Sequence, residues 1–235
     1  MKQTCLIVLF LLALTAFAAE GPDYLLLVTE TPLSGGLLAR DFELAQFVHI
    51  DPAQFAPKAF LEQGEGLSPL VLQFDVREDG PDRLLLEAPG DIQAGARIRF
   101  YASGGPESAP PAPAAAVSAK VENGVITINN GIVEAVHNPA AIGGLPSKIT
   151  FLETGQVFEG YFFNDRVYSK ETGAFSIRFD TQPEVRLLSA GPIEAVVEVR
   201  ARYMQDAAPA PGNARAVYQF RYRAGSPAIE IVANC

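Results

Sequence analysis

The sequence predicts an all-β protein, with a small N-terminal β-sandwich followed by a larger antiparallel β-sandwich. Three observations predict it. Short apolar segments recur along the chain, many with period-two alternation, and Gly, Pro, Asn or Asp bounds each of them. Only one short segment carries a helix signal, and no other has the period and length of a stable helix. Between the halves, residues 102–119 hold four prolines and no large apolar residue except Val117. Such a stretch favours extended conformations and builds no core, so it reads as a linker.

The N-terminus comes first in the chain and sets the compartment. Lys2 is followed by an apolar run from Cys5 to Leu14 and then by Ala16-Phe17-Ala18, an A-x-A cleavage pattern. Residues 1–18 therefore read as a signal peptide. The run is short of the ~20 apolar residues a membrane span needs, although an uncleaved anchor helix is the competing reading. Periplasmic or extracellular export from a bacterium is the expectation, with no membrane association after cleavage. Of the 2 cysteines only Cys235 would remain, so the mature chain has no internal disulfide and folds on burial alone.

Composition narrows the partners. The 235 residues are 49% hydrophobic and 19% charged, enough apolar material for a real core. The net charge of -9 argues against nucleic acid or an anionic membrane surface as partner. With 2 histidines and 2 cysteines, no His/Cys zinc cluster is expected. The acidity is uneven. Residues 19–119 carry 6 basic and 15 acidic side chains, whereas 120–235 carry 11 and 12. The domains are read as 19–101, an acidic sandwich, and 120–235, a larger one.

In the first domain, strand patterns fall at 24–29, 44–49, 70–76, 83–87 and 96–102. Asp51-Pro52 is an N-cap followed by a first-turn proline, so 51–64 is expected to hold a short helix. In the second, Asn123-Gly124 predicts a hairpin between 120–122 and 125–128. Asn130-Gly131 is a similar signal before 132–137, and 148–152 follows a Gly143-Gly144 loop. Residues 175–179 alternate and read as strand. So do 193–203, with Ile193, Ala195, Val197, Val199 and Ala201 inward, and 216–223, with Ala216, Tyr218, Phe220 and Tyr222 on one face. The sequence stops soon after a strand pattern at 226–232. The second sandwich is therefore expected to be the first part of a longer domain.

Candidate chemistry is sparse. There is no G-x-S-x-G elbow, phosphate-binding loop or H-E-x-x-H helix. His137 at a strand end and His49 within an apolar run are conceivable acid–base groups but read as structural. Glu194 and Glu198 share one strand face, but their backbones lie ~13 Å apart, beyond the ~5–9.5 Å of a glycosidase pair. With Arg200 and Arg202 continuing that face, they read as a solvated ion-paired strand. Arg215, Arg221 and Arg223 either extend such a network with Glu230 or present guanidinium forks to uronate carboxylates. Asp75, Glu78, Asp79 and Asp82 surround a turn without EF-hand spacing, and no metal or other cofactor is assigned.

The stretch from Tyr161 to Tyr168 is the best binding candidate. It packs four aromatic rings among an amide, an acid and a guanidinium. Sugars stack their C–H faces on rings while polar side chains take the hydroxyls. Tyr161, Asn164, Arg166 and Tyr168 are the expected contacts for an oligosaccharide or polysaccharide. Packing of one sheet on another is the competing use of these rings.

The run from Val121 to Gly131 with Gly143-Gly144, the segment from Gly191 to Val199, and the segment from Gln219 to Pro227 together resemble a known opening. It is that of the galactose mutarotase-like supersandwich of exported polysaccharide lyases, notably exo-rhamnogalacturonan lyase-like proteins. Gln73-Phe74-Asp75 and the run from Ala94 to Tyr101 are similar to the small sandwich preceding it. The resemblance implies an exported carbohydrate-active enzyme whose helical toroid and further strands follow, with the catalytic residues outside this chain. It carries no catalytic residue over. A stand-alone carbohydrate-binding module and a cell-surface adhesion protein of Ig-like sandwiches are the alternatives.

Overall fold

The computed structural model describes residues 25–29, 32, 37–42, 55–75, 82–88, 90–107, 109, 112–113, 115–160 and 165–234. Among these no helix reaches seven residues, and the strands form antiparallel sheets, so the all-β class holds. The chain divides into two compact units between Ala114 and Ala115.

In the first unit, β1 (Leu25–Val28), β2 (Leu37–Phe42), β3 (Lys58–Gln63), β4 (Gly66–Pro69), β5 (Val71–Asp75), β6 (Asp82–Glu87) and β7 (Arg97–Tyr101) follow in order. One sheet runs β1-β7-β3-β4 and the other β2-β6-β5. Leu27, Ala59, Leu61, Ile98 and Phe100 of the first face Leu84 and Leu86 of the second in one core. Phe74 seals it, with its ring 5.2 Å from Phe55 and 6.2 Å from Phe100.

The helix expected over 51–64 is corrected here, because residues from Lys58 onward are strand. Ala59 and Leu61 lie opposite Phe100 and Ile98, and the apolar surface this alternation buries outweighs the local capping signal. The strand expected over 44–49 lies outside the described residues.

On the outer face Glu62 accepts from Arg97 at 2.6 Å and Arg99 at 2.5 Å. Lys58 Nζ donates to the Pro106 carbonyl, and Gly105 sits so close to the Tyr101 ring that an added Cβ would lie 2.8 Å from it. The start of the proline-rich stretch thus folds back onto this unit.

The second unit opens with a meander of β8 (Ser118–Glu122), β9 (Val125–Asn129), β10 (Val133–His137), β11 (Pro146–Phe151) and β12 (Gln156–Glu159), ordered β12-β11-β10-β9-β8. Next come the hairpin β13 (Val167–Ser169) and β14 (Gly173–Phe175), then β15 (Glu184–Ala190) and β16 (Glu194–Arg202). A second hairpin, β17 (Met204–Gln205) and β18 (Ala208–Pro209), precedes β19 (Arg215–Arg223) and β20 (Ile229–Asn234). The other large sheet is β15-β16-β19-β20.

Asn123 and Gly124 both have positive φ, 51° and 79°, as a two-residue turn between β8 and β9 requires. Val117 is buried in the core and its N–H bonds to the Pro192 carbonyl, so the segment read as linker ends before it.

Between the sheets, Ile126, Ile128 and Ala135 face Ala195, Val197, Val199, Ala216, Phe220 and Tyr222. Each Val or Ile so buried gains about 1.5–3 kcal/mol. Asn130 stitches the two layers at one end. Its amide donates to the carbonyls of Arg223 and Ser226, and its Oδ1 accepts from Ile132 and Val133.

The strand expected over 175–179 is also corrected. Phe175 ends β14, Ser176 bridges to Met204, and Ile177–Phe179 is a 3-10 turn. Ser176 Oγ caps the turn through the Arg178 N–H, and Asp180 then reaches Arg202 at 2.9 Å.

Candidate ligand-binding site

The described part of the aromatic-rich stretch begins at Asp165, so Tyr161 and Asn164 lie outside the described residues. From there the chain alternates as a strand does. Asp165 turns inward, Arg166 is exposed, Val167 packs against the core, and Tyr168 stands 74% exposed. Arg166 and Tyr168 thus share a face, with backbones ~6.6 Å apart. Across the hairpin Tyr168 lies opposite Ala174, whose methyl group leaves the ring uncovered. Among the described residues Arg166 forms no ion pair.

Behind this face the Asp165 carboxylate accepts from two tyrosines. The Tyr203 hydroxyl is 2.9 Å from both of its oxygens, and the Tyr218 hydroxyl is 2.5 Å from Oδ2. Both tyrosines are buried. Sequence reasoning placed Tyr218 on one face with Phe220 and Tyr222 but gave neither tyrosine nor Asp165 a part in the site. The signal was an acid inside an aromatic run, and its partners lie far along the chain.

Of the acid–base candidates, His49 lies outside the described residues, whereas His137 belongs to the core. His137 is fully buried, with Nδ1 3.1 Å from the Gly144 carbonyl and Nε2 2.7 Å from the Tyr222 hydroxyl. The carbonyl only accepts, so Nδ1 carries the proton and Nε2 accepts from Tyr222. Burial pushes its pKa down to about 4, against a smaller upward pull from Gly144.

Glu194 and Glu198 are buried, which corrects the solvated face expected for them. Long arginine side chains lie over them. Arg223 pairs with Glu194 at 3.4 Å, and Arg200 pairs with Glu198 at 2.6 Å. Arg221 and Arg223 also reach Glu230, at 3.5 and 3.6 Å. Arg221 and Arg223 are thus engaged in cross-strand pairs, Arg200 pairs within its own strand and Arg202 with Asp180, while Arg215 is exposed.

Asp75 accepts from the Gln73 amide at 3.1 Å, while Glu78 and Asp79 lie outside the described residues. Among the described residues no group of three or more His, Cys, Asp or Glu could hold a metal. Nor is any helix among them long and apolar enough to cross a membrane.

No family model and no curated protein matches the chain.

Proposed function

We propose that this is an exported, carbohydrate-binding β protein, the non-catalytic β region of a polysaccharide-degrading enzyme such as a lyase. One observation carries the reading. Tyr168 offers an uncovered ring to solvent, and Arg166, two residues before it, is exposed on the same side and forms no ion pair among the described residues. A ring takes the C–H face of a sugar, and a guanidinium fork takes vicinal hydroxyls or a carboxylate.

The acid–base groups support binding rather than turnover. His137, Glu194 and Glu198 are buried and hydrogen-bonded or ion-paired within the second unit, away from solvent. Export, inferred from residues 1–18, would deliver the protein to where polysaccharides are met.

Calorimetric titration with neutral and uronate-containing oligosaccharides tests the reading. Weak binding is expected, lost in Tyr168→Ala and Arg166→Ala and weakened in Tyr161→Ala. No heat with any sugar at millimolar concentration, or binding unchanged in both Tyr168→Ala and Arg166→Ala, would sink it.

A further inference from the structure

We infer that Asp165, Tyr203 and Tyr218 are positioning residues, a carboxylate clamp that fixes the strand presenting Arg166 and Tyr168. The inference rests on the carbohydrate reading for what that strand binds, and on the geometry alone for what holds it. β13 and β14 have three residues each and pair only with one another among the described residues. An isolated two-stranded ribbon of that size does not hold its place in water. Its position must come from tethers to the main sandwich.

Val167 and Phe175, which pair with one another, supply one tether by packing on the core, and the Ser176–Met204 backbone pair just past β14 supplies another at the same end of the hairpin. Both hold the base of the hairpin, but the apolar packing of Val167 is not directional and the Ser176 pair belongs to the other strand. The segment leading into β13 has a directional anchor in Asp165, held by the phenols of Tyr203, just past the end of β16, and of Tyr218, within β19. A carboxylate with two hydroxyl donors is a charge-assisted anchor, stronger than neutral hydrogen bonds and directional at both oxygens. With Asp165 fixed inward, strand parity sends Arg166 and Tyr168 outward together. Release of the anchor would let the strand entry rotate and separate the ring from the guanidinium.

The test uses the full chain and compares wild type with Asp165→Asn, Tyr218→Phe and the Tyr203→Phe/Tyr218→Phe double variant. Ile149→Val, a core change on the meander sheet, serves as a stability-matched control. Amide hydrogen exchange at residues 166–169 is expected to quicken ~10-fold in the clamp variants and to stay at the wild-type rate in Ile149→Val. Titration with galacturonate and galactose oligomers is expected to give a Kd ~10-fold weaker in the clamp variants. Unchanged exchange in Asp165→Asn and the double variant overturns the clamp. Faster exchange with a wild-type Kd overturns its role in presenting the ligand contacts. If wild type itself takes up neither sugar, the carbohydrate reading falls, and the exchange comparison alone decides the clamp.

Discussion

The Nε2 atom of His137 lies 2.7 Å from the hydroxyl of Tyr222, joining the two sheets of the second unit across its core. Edge contacts reinforce the pair, with the His137 ring 5.0 Å from Phe220 and 5.9 Å from Tyr222. The arrangement favours a neutral imidazole, because burial penalises the charged ring.

This bond makes stability depend on pH in a defined window. Folding lowers the histidine pKa from its ordinary 6.5 to about 4. Between those values the unfolded chain binds a proton that the folded chain does not. Stability is therefore full above pH ~6.5, falls as pH drops towards ~4, and is flat below that for this group. The total loss is ~3 kcal/mol. Carboxylates act lower. Burial would raise Asp180, but the Arg202 guanidinium and backbone N–H outweigh it and hold it below its ordinary value, so its contribution is lost only in more acid solution. Chemical denaturation from pH 7 to 4 should show the histidine slope in wild type and its absence in His137→Gln. An equal slope in both would refute the assignment.

Asn130 should be among the least replaceable polar residues of the second unit. It is fully buried and uses two donors and two acceptor directions on four backbone groups. Asn130→Ala leaves those groups without their partner, and Asn130→Asp replaces two donors with a buried charge. A loss of ~3 kcal/mol or more is expected for either, read by thermal or urea unfolding. A loss under ~1 kcal/mol would mean that water replaces the amide.

The loop after β10 gives a graded comparison between two adjacent glycines. Gly143 and Gly144 have positive φ of 69° and 79°. A Cβ on Gly143 would strike the Ile177 carbonyl, a backbone group that cannot swing aside, whereas one on Gly144 would meet Val185 Cγ2 at 2.5 Å. Gly143→Ala should cost ~3 kcal/mol or more and Gly144→Ala less, because a side chain can yield. Gly155, equally left-handed at 68° but facing open space, should lose only ~1–2 kcal/mol as Gly155→Ala. Equal losses at Gly143 and Gly155 would show that backbone strain, and not the close approach, governs the loop.

How legible these features were in the sequence follows from how local their causes are. β16 and β19 alternate along most of their nine residues, broken only by Val196 and Val217, so Val197, Val199, Phe220 and Tyr222 could be placed inward from period two alone. β3 could not be read that way. Its residues KAFLEQ are mostly good helix formers behind a helix-start signal, and pairing with β4 on one side and with β7, distant in sequence, on the other makes them strand. The burial of Glu194 and Glu198 also escaped, since alternation assigns a face but not what lies over it. Tyr168 and Arg166 were legible as an aromatic and a cation two residues apart. Their anchor was not, because Asp165 meets Tyr203 and Tyr218 at separations of 38 and 53 residues.

The ion pairs of the second unit offer the last comparison, in which burial decides the outcome and not the contact distance. Arg200 and Glu198 approach to 2.6 Å, and Lys120 and Glu122 to 2.8 Å, nearly the same separation. The Glu198 side chain is only 6% exposed and also accepts from Gln219 Nε2, whereas both partners of the β8 pair are more than half exposed. Water and salt screen the exposed pair, and holding two long side chains costs entropy, so Glu122→Ala should change stability by less than ~0.5 kcal/mol. Glu198→Ala removes a desolvated acceptor beneath Arg200 and Gln219. Arg200 itself is partly exposed and can turn to solvent, which keeps the loss near ~2 kcal/mol, below that of a fully buried broken pair. Raising salt from 0.05 to ~0.5 M should leave the Glu198→Ala difference nearly intact. Unfolding of both variants at the two salt concentrations checks this, and a Glu198→Ala loss that vanishes at high salt would place that carboxylate in solvent.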